Sequence, residues 1–194
     1  MSQGNHDITL DPSYYNTRGG ERFHGGLRYD TSRVRQILVD STEIVYLEDS
    51  AYDVPTPSGH VLKLYGTPHQ PEFCDWAFNL PRGDATRAQA ERIPSSTDVL
   101  ISHGPPHGHG DRTSEAGRVG CEEMLAELQQ RVQPAVHIFG HIHSGYGVSS
   151  DGTTAYVNAS CCTSQYEAIN APLVFDLAFQ STGQLGRPVF VKAA

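Results

Sequence analysis

The chain has little of what would mark it for a membrane, a nucleic acid or an oxidising compartment. No apolar run approaches the ~18 residues of a membrane span, and mean hydropathy is −0.41. Lys and Arg number 14 against 22 Asp and Glu, a net charge of −8. A protein whose main task is gripping phosphate backbones shows the opposite balance, so no nucleic-acid backbone binding is expected. Cysteine occurs four times, at Cys74, Cys121, Cys161 and Cys162, never as Cys-x-x-Cys; these read as reduced thiols. There is no Gly-x4-Gly-Lys-Ser/Thr loop, and Gly108-His109-Gly110 is not a nucleotide fingerprint. Residues 1–10 carry neither the charged start nor the apolar stretch of a secretory signal. The last four residues carry no prenylation or retention motif. The expectation is a cytoplasmic protein with no membrane segment. Asn158-Ala159-Ser160 fits a glycosylation sequon, which in that setting reads as chance.

What is present fits one domain, 1–194. At 194 residues a chain can bury roughly 70% of its unfolded surface, and needs no disulfide or metal merely to fold. Residues 11–32, rich in Gly, Tyr and Arg, read as a mobile loop. Helical spacing follows at Val34, Ile37 and Leu38. The apolar stretch 44–47 and the alternating stretch 61–65 read as two strands joined through Pro55-Thr56-Pro57-Ser58-Gly59. A short helix is predicted over 85–92 and a buried strand over 99–101. Cys121, Met124, Leu125, Leu128 and Val132 keep helical spacing, with Glu122 and Glu123 in the first turn and Arg131 in the last. Pro134 stops that helix. Further short strands are predicted at 135–139, 146–148, 153–157, 173–175 and 189–191. Helices alternate with strands early, and strands follow strands late, which suggests an α/β layered sandwich rather than a parallel barrel.

Ten histidines are the unusual count, because histidine is the commonest metal ligand and the commonest general acid or base. Three of the histidine-bearing turns share one form, a strand end or chain start followed by His beside Gly. They are Gly4-Asn5-His6-Asp7, Ser102-His103-Gly104-Pro105-Pro106 and Gly140-His141-Ile142-His143. Ligands of open α/β sheets collect beyond the carboxyl ends of strands, where three such turns can converge. Glycine lets the backbone pass close to a ligand. In an extended segment His141 and His143 point to one side, facing two adjacent metal ions. Asn5 offers a neutral carbonyl oxygen, and imidazoles suit Zn, Mn, Fe or Ni.

With these three motifs in this order, the chain resembles the calcineurin-like metallophosphoesterases over nearly its whole length. The stretches Trp76-Ala77-Phe78-Asn79-Leu80-Pro81-Arg82-Gly83, Arg118-Val119-Gly120-Cys121, Gly145-Tyr146-Gly147 and Tyr156-Val157-Asn158-Ala159-Ser160 add to the likeness. The resemblance implies a β-sandwich flanked by helices, in α/β/β/α layers. It implies a phosphodiesterase acting on small, cyclic nucleotide-like esters through two divalent ions of the Mn, Fe or Zn type. Asn5, His103 and His141 would hold one ion and His143 would ligate the other. His6 would stabilise the transition state or protonate the leaving group. The family pattern also has Asp-x-His and Gly-Asp upstream of Gly-Asn-His. Neither stands ahead of Gly4 in this sequence, and no later Asp-x-His substitutes, so the resemblance implies a partial domain lacking the first β-α-β region, ~30 residues or more. The isolated chain is then expected to be poorly stable and close to inactive. The alternative is a short form acting as a nucleotide-, metal- or protein-binding module.

Other residues have two readings. Arg82 is a bidentate anion partner for substrate phosphate, or a structural arginine. His107 and His109 read either as metal ligands clustered with His103 or as part of a flexible Gly/Pro loop at the cleft rim, within reach of substrate. His24, His60, His69 and His137 read as structural or solvated. Cys161 and Cys162 read as small apolar packing residues. Asp7 reads as orienting His6 or capping the next segment.

Overall fold

The computed structural model describes residues 3–191 except 182 and 184. Its twelve strands are β1 (Ser50–Pro55), β2 (Val61–Thr67), β3 (Gln70–Pro71), β4 (Asn79–Leu80), β5 (Val99–Ser102), β6 (Arg112–Thr113), β7 (Gly117–Arg118), β8 (Val136–Phe139), β9 (Gly147–Ser150), β10 (Ala155–Asn158), β11 (Val174–Asp176) and β12 (Val189–Val191). Six of them form the main sheet, in the order β1-β2-β5-β8-β10-β9. The inner four, β2, β5, β8 and β10, run parallel, and β1 and β9 pair antiparallel at the two edges. The carboxyl ends of the four parallel strands therefore lie along one edge of the sheet.

Helix α4 (Asp84–Glu91) connects β2 to β5, and α5 (Glu122–Glu127), continued by a π-turn at Leu128–Val132, connects β5 to β8. Both cover the same face. Ala90 and Ile93 from the first connection, and Cys121, Met124, Leu128 and Val132 from the second, pack on Tyr65, Leu100, Phe139 and Tyr156. The predicted helical stripe is the surface that meets the sheet. Arg131 stitches the two helices, pairing with Glu127 at 2.5 Å and donating to the carbonyls of Ile93, Ala90 and Glu91. Those bonds satisfy main-chain oxygens left over where α4 ends. The other face carries Val99, Val136 and Val157, packed against Leu173, Phe175 and Phe190 of the β11–β12 hairpin region.

The expected four layers are thus present in part. A helical layer, the main sheet and the covering β11–β12 hairpin stack in order, and β3–β4 and β6–β7 form two further two-stranded pairs. The remaining helices gather elsewhere. Residues 11–32, expected to be a mobile loop, form α1 (Pro12–Tyr14), a π-turn (Tyr15–Gly19), α2 (Gly20–His24) and the start of α3 (Thr31–Val39). Asp11 explains the difference. Its carboxylate accepts from Tyr14 N–H as an N-cap and from Phe78 N–H, 67 positions away. Tyr14 and Tyr15 are buried with Ile8, Leu10, Ala77 and Phe78. Burial and capping override the turn signal of the glycines.

A second correction concerns the first hairpin. Its leading strand is Ser50–Pro55 rather than 44–47. Leu47 is buried without being a strand residue; its side chain fills the space over Gly66, where a Cβ would collide with it. Among the described residues no helix is long and apolar enough to cross a membrane.

Candidate active site

The turns after β5 and β8 leave the carboxyl edge of the sheet side by side. Gly140 N–H donates to His103 O at 3.0 Å, and Ala159 N–H, after β10, donates to Phe139 O at 2.7 Å. The Gly4-Asn5-His6 turn comes from the far end of the sequence onto the same edge. Asp7 closes it, its carboxylate accepting from Gly4 N–H at 2.8 Å. Asp7 therefore braces Gly4; its side chain makes no cap bond to the 3-10 turn Ile8–Leu10 that follows. Gly4 lies against the imidazole of His103 so closely that a Cβ would overlap the ring.

The result is a convergence of three lone-pair atoms. Asn5 Oδ1 lies 2.7 Å from His103 Nε2, which lies 3.1 Å from His141 Nδ1. Asn5 is buried. Burial, then repulsion from His141 and His6, pushes His103 down to about 3. Burial, then repulsion from His6 and His143, pushes His141 down to about 4. Both rings are neutral at neutral pH and keep lone pairs available. One proton shared between two acceptors, or one cation in its place, is what such a set holds. Donors bound to one ion at about 2.1 Å sit ~3 Å or slightly more apart, and amide oxygen with imidazole suits Mn, Fe or Zn. These three side chains fit a divalent ion. Among the described residues no group of three or more His, Cys, Asp or Glu is arranged to hold a metal; the set here depends on the amide of Asn5.

His141 and His143 do not share an extended segment, as the His-x-His spacing had suggested. His141 sits in the left-handed region at φ 66 and His143 opens a 3-10 turn, His143–Gly145. A non-glycine residue held there carries strain of the kind that collects at functional sites. Asn158 holds the turn from below. Its fully buried amide donates to Ile142 O at 2.8 Å and Gly110 O at 3.0 Å, and its oxygen accepts from Ser160 N–H and Oγ–H. His143 Nδ1 is 3.0 Å from Thr163 O. A carbonyl only accepts, so the Nδ1 proton is fixed there and Nε2 keeps its lone pair.

His6 is exposed at the mouth of the site, with its ring 4.3 Å from that of Trp76. Trp76 stacks in turn on Phe23. Phe73 meets His141 edge-on at 6.1 Å, and Tyr166 meets His143 at 5.3 Å; both aromatic rings are largely exposed. The motifs contain Gly4 and Asn158 without showing what each touches, and Thr163, Phe73 and Tyr166 lie outside every motif. Their positioning roles emerge from contacts between segments distant in sequence.

Arg82 stands apart from this cluster of contacts. Its guanidinium donates to Val119 O at 2.6 Å and Gly120 O at 2.9 Å, the structural alternative of its two readings. His109 stacks on Tyr156 at 3.7 Å and meets Ser149 Oγ at 2.9 Å. His137 is a core residue, on the strand face that α4 and α5 cover, with Nε2 2.7 Å from Ser102 Oγ. His24 bonds Tyr15 OH, His60 stacks on Phe179, and His69 lies 3.3 Å from Asp49. Cys161 and Cys162 are not packed as apolar residues: Cys161 is exposed and Cys162 half-buried.

A model of the calcineurin-like phosphoesterase family matches residues 1–145. Metallophosphoesterase domain-containing protein 1 of Homo sapiens is 43% identical over 180 residues, covering 90% of this chain and 53% of that protein. The Mus musculus protein of the same name gives the same figures. A UPF0046 protein of Caenorhabditis elegans is 41% identical over 133 residues, 69% of this chain and 32% of that protein. The chain spans about half the length of the mammalian relatives it matches. The match contains the Gly-Asn-His turn, the Ser-His-Gly turn and the strained Gly-His-Ile-His turn whose side chains meet at the sheet edge, and on that basis the chain belongs to the calcineurin-like phosphoesterase family.

Proposed function

We propose that this chain carries the His-rich half of a metal-dependent phosphodiesterase centre acting on small, cyclic nucleotide-like esters in the cytoplasm. The observation that carries the reading is that His103 Nε2 lies 2.7 Å from Asn5 Oδ1 and 3.1 Å from His141 Nδ1, with both rings held neutral by burial. Asn5, His103 and His141 would hold one divalent ion, and the free Nε2 of His143 would ligate a second. Bound divalent ions lower the pKa of a water and clamp phosphoryl oxygens during in-line attack.

The remaining steps belong to the side chains. His6, exposed and propped on Trp76, would give its proton to the leaving oxygen as the P–O bond breaks. The Thr163 carbonyl keeps the His143 proton on the far side of the ring. The rings of Phe73 and Tyr166 offer apolar surface beside His141 and His143 for the organic part of the ester. A net charge of −8 disfavours polyanions, which supports a small ester over a nucleic acid.

The test is Mn²⁺ calorimetry together with hydrolysis of a chromogenic phosphodiester by the wild-type chain, His141→Ala and His6→Ala. His141→Ala is expected to lose Mn²⁺ binding. His6→Ala is expected to keep it while any turnover falls on the order of 10²-fold or more. Mn²⁺ binding without ester cleavage in the wild type would favour a metal- or nucleotide-binding module. Undiminished Mn²⁺ binding by His141→Ala would overturn the assignment of the site.

A further inference from the structure

Cys161 and Cys162 follow β10 directly and do not serve the core. Their Sγ atoms lie 3.8 Å apart, Cys161 exposed and Cys162 half-buried. The peptide carrying them is pinned on its other side. Asn170 Nδ2 donates to Ser160 O at 2.8 Å and Cys162 O at 3.1 Å, and Asn170 N–H donates to Cys161 O at 3.2 Å. The main chain is anchored by Asn170 while both thiols stay near each other and reachable. The next residue is Thr163, whose carbonyl accepts from Tyr166 N–H at 2.9 Å and fixes the His143 Nδ1 proton. Two thiols in reach of each other thus adjoin the group that sets the His143 tautomer.

We propose that Cys161 and Cys162 are a reversible thiol-modification site that small disulfides oxidise to a bridge between adjacent residues, displacing the Thr163 carbonyl from His143. In the first step the exposed Cys161 thiolate attacks the small disulfide, forms a mixed disulfide and releases one small thiol. In the second, the Cys162 thiolate attacks the Cys161 sulfur and releases the other. Two protein thiols and one small disulfide become one protein disulfide and two small thiols, two electrons passing to the small molecule. Adjacent Cα atoms across a trans peptide are about 3.8 Å apart, below the roughly 4.4–6.8 Å of relaxed disulfides. The bridge is therefore strained, and strained disulfides have more oxidising potentials and reduce readily. That makes the pair a switch rather than a staple. The thiol chemistry stands without the phosphoesterase reading; only its consequence at His143 touches that centre.

The test treats the full chain with oxidised glutathione and follows intact mass, peptide mapping and the ¹⁵N signals of the His143 ring. The wild type is expected to lose two hydrogen atoms, retain no glutathione, map to a 161–162 bridge and return to its starting mass with dithiothreitol. Cys162→Ser is expected to trap glutathione on Cys161. The His143 ring is expected to shift from one Nδ1-protonated form to a mixture of tautomers on oxidation. A stable glutathione adduct on the wild type, or bridging through Cys74 or Cys121 instead, would overturn the site. A 161–162 bridge that leaves the His143 signals unmoved would overturn its coupling to the histidine.

Discussion

Gly4 packs so closely against the imidazole of His103 that a Cβ there would overlap the ring. Gly4→Ala is expected to push the ring off its line with Asn5. Mn²⁺ affinity should fall on the order of 10-fold or more, as when a group that orients a ligand is disturbed. Calorimetry on the folded variant, its fold checked by circular dichroism, reads this directly. An unchanged affinity would mean that the ring's position does not matter to binding.

Asn158 is a buried side chain with every polar atom engaged, tying β10 to the His141–His143 turn and to the loop at Gly110. Asn158→Ala strips the donor from two main-chain carbonyls. The expected cost is about 3 kcal/mol of unfolding free energy, since each buried group left unpaired costs roughly 1–3 kcal/mol. A urea titration measures it, and a midpoint equal to the wild type's would refute the bracing role.

His137 sets an acid limit on stability. Burial, helped by repulsion from His109, pushes it down to about 3 from an ordinary 6.5. Above the ordinary value both the native and the unfolded ring are neutral, and the favourable contribution is complete. As pH falls from there toward about 3, the unfolded chain takes up a proton that the native state refuses. Stability therefore declines with a slope of up to ~1.4 kcal/mol per pH unit from this group. Urea midpoints between neutral and mildly acid pH should fall steeply for the wild type and less steeply for His137→Gln.

Arg82 gives a prediction of the opposite kind. Because its guanidinium is spent on Val119 O and Gly120 O, Arg82→Ala should lower stability by about 1–3 kcal/mol. Binding of a nucleoside monophosphate, followed by calorimetry, should be unchanged. A large loss of that affinity with stability intact would restore the phosphate-binding reading.

How far the residues announced this arrangement depends on the distance over which each signal acts. The β5 and β8 strands and the stripe from Cys121 to Val132 were legible because burial on a sheet repeats a simple period. The three His turns were legible because glycine and histidine mark a strand end locally. Residues 11–32 were misread because their helices rest on Asp11 reaching Phe78 and on Tyr15 in a core assembled from distant segments. The strand Ser50–Pro55 was missed because its residues are mostly exposed and carry no apolar alternation. The same applies at the site. His141 and His143 were found by spacing, but their geometry follows from a left-handed backbone angle and from Asn158, which no two-residue period encodes.

The bond between Asn5 and His103 spans 98 positions. Closing a loop of that length costs ~4 kcal/mol of chain entropy beyond a constant, and no short stretch of the chain can assemble these donors alone. The centre therefore exists only in the completed native state and is absent from the unfolded ensemble. Any ion or ester that occupies it must draw the folding equilibrium toward the native chain by mass action. Melting temperature then becomes a ligand titration, and the concentration of ion in the surroundings helps decide how much folded protein there is.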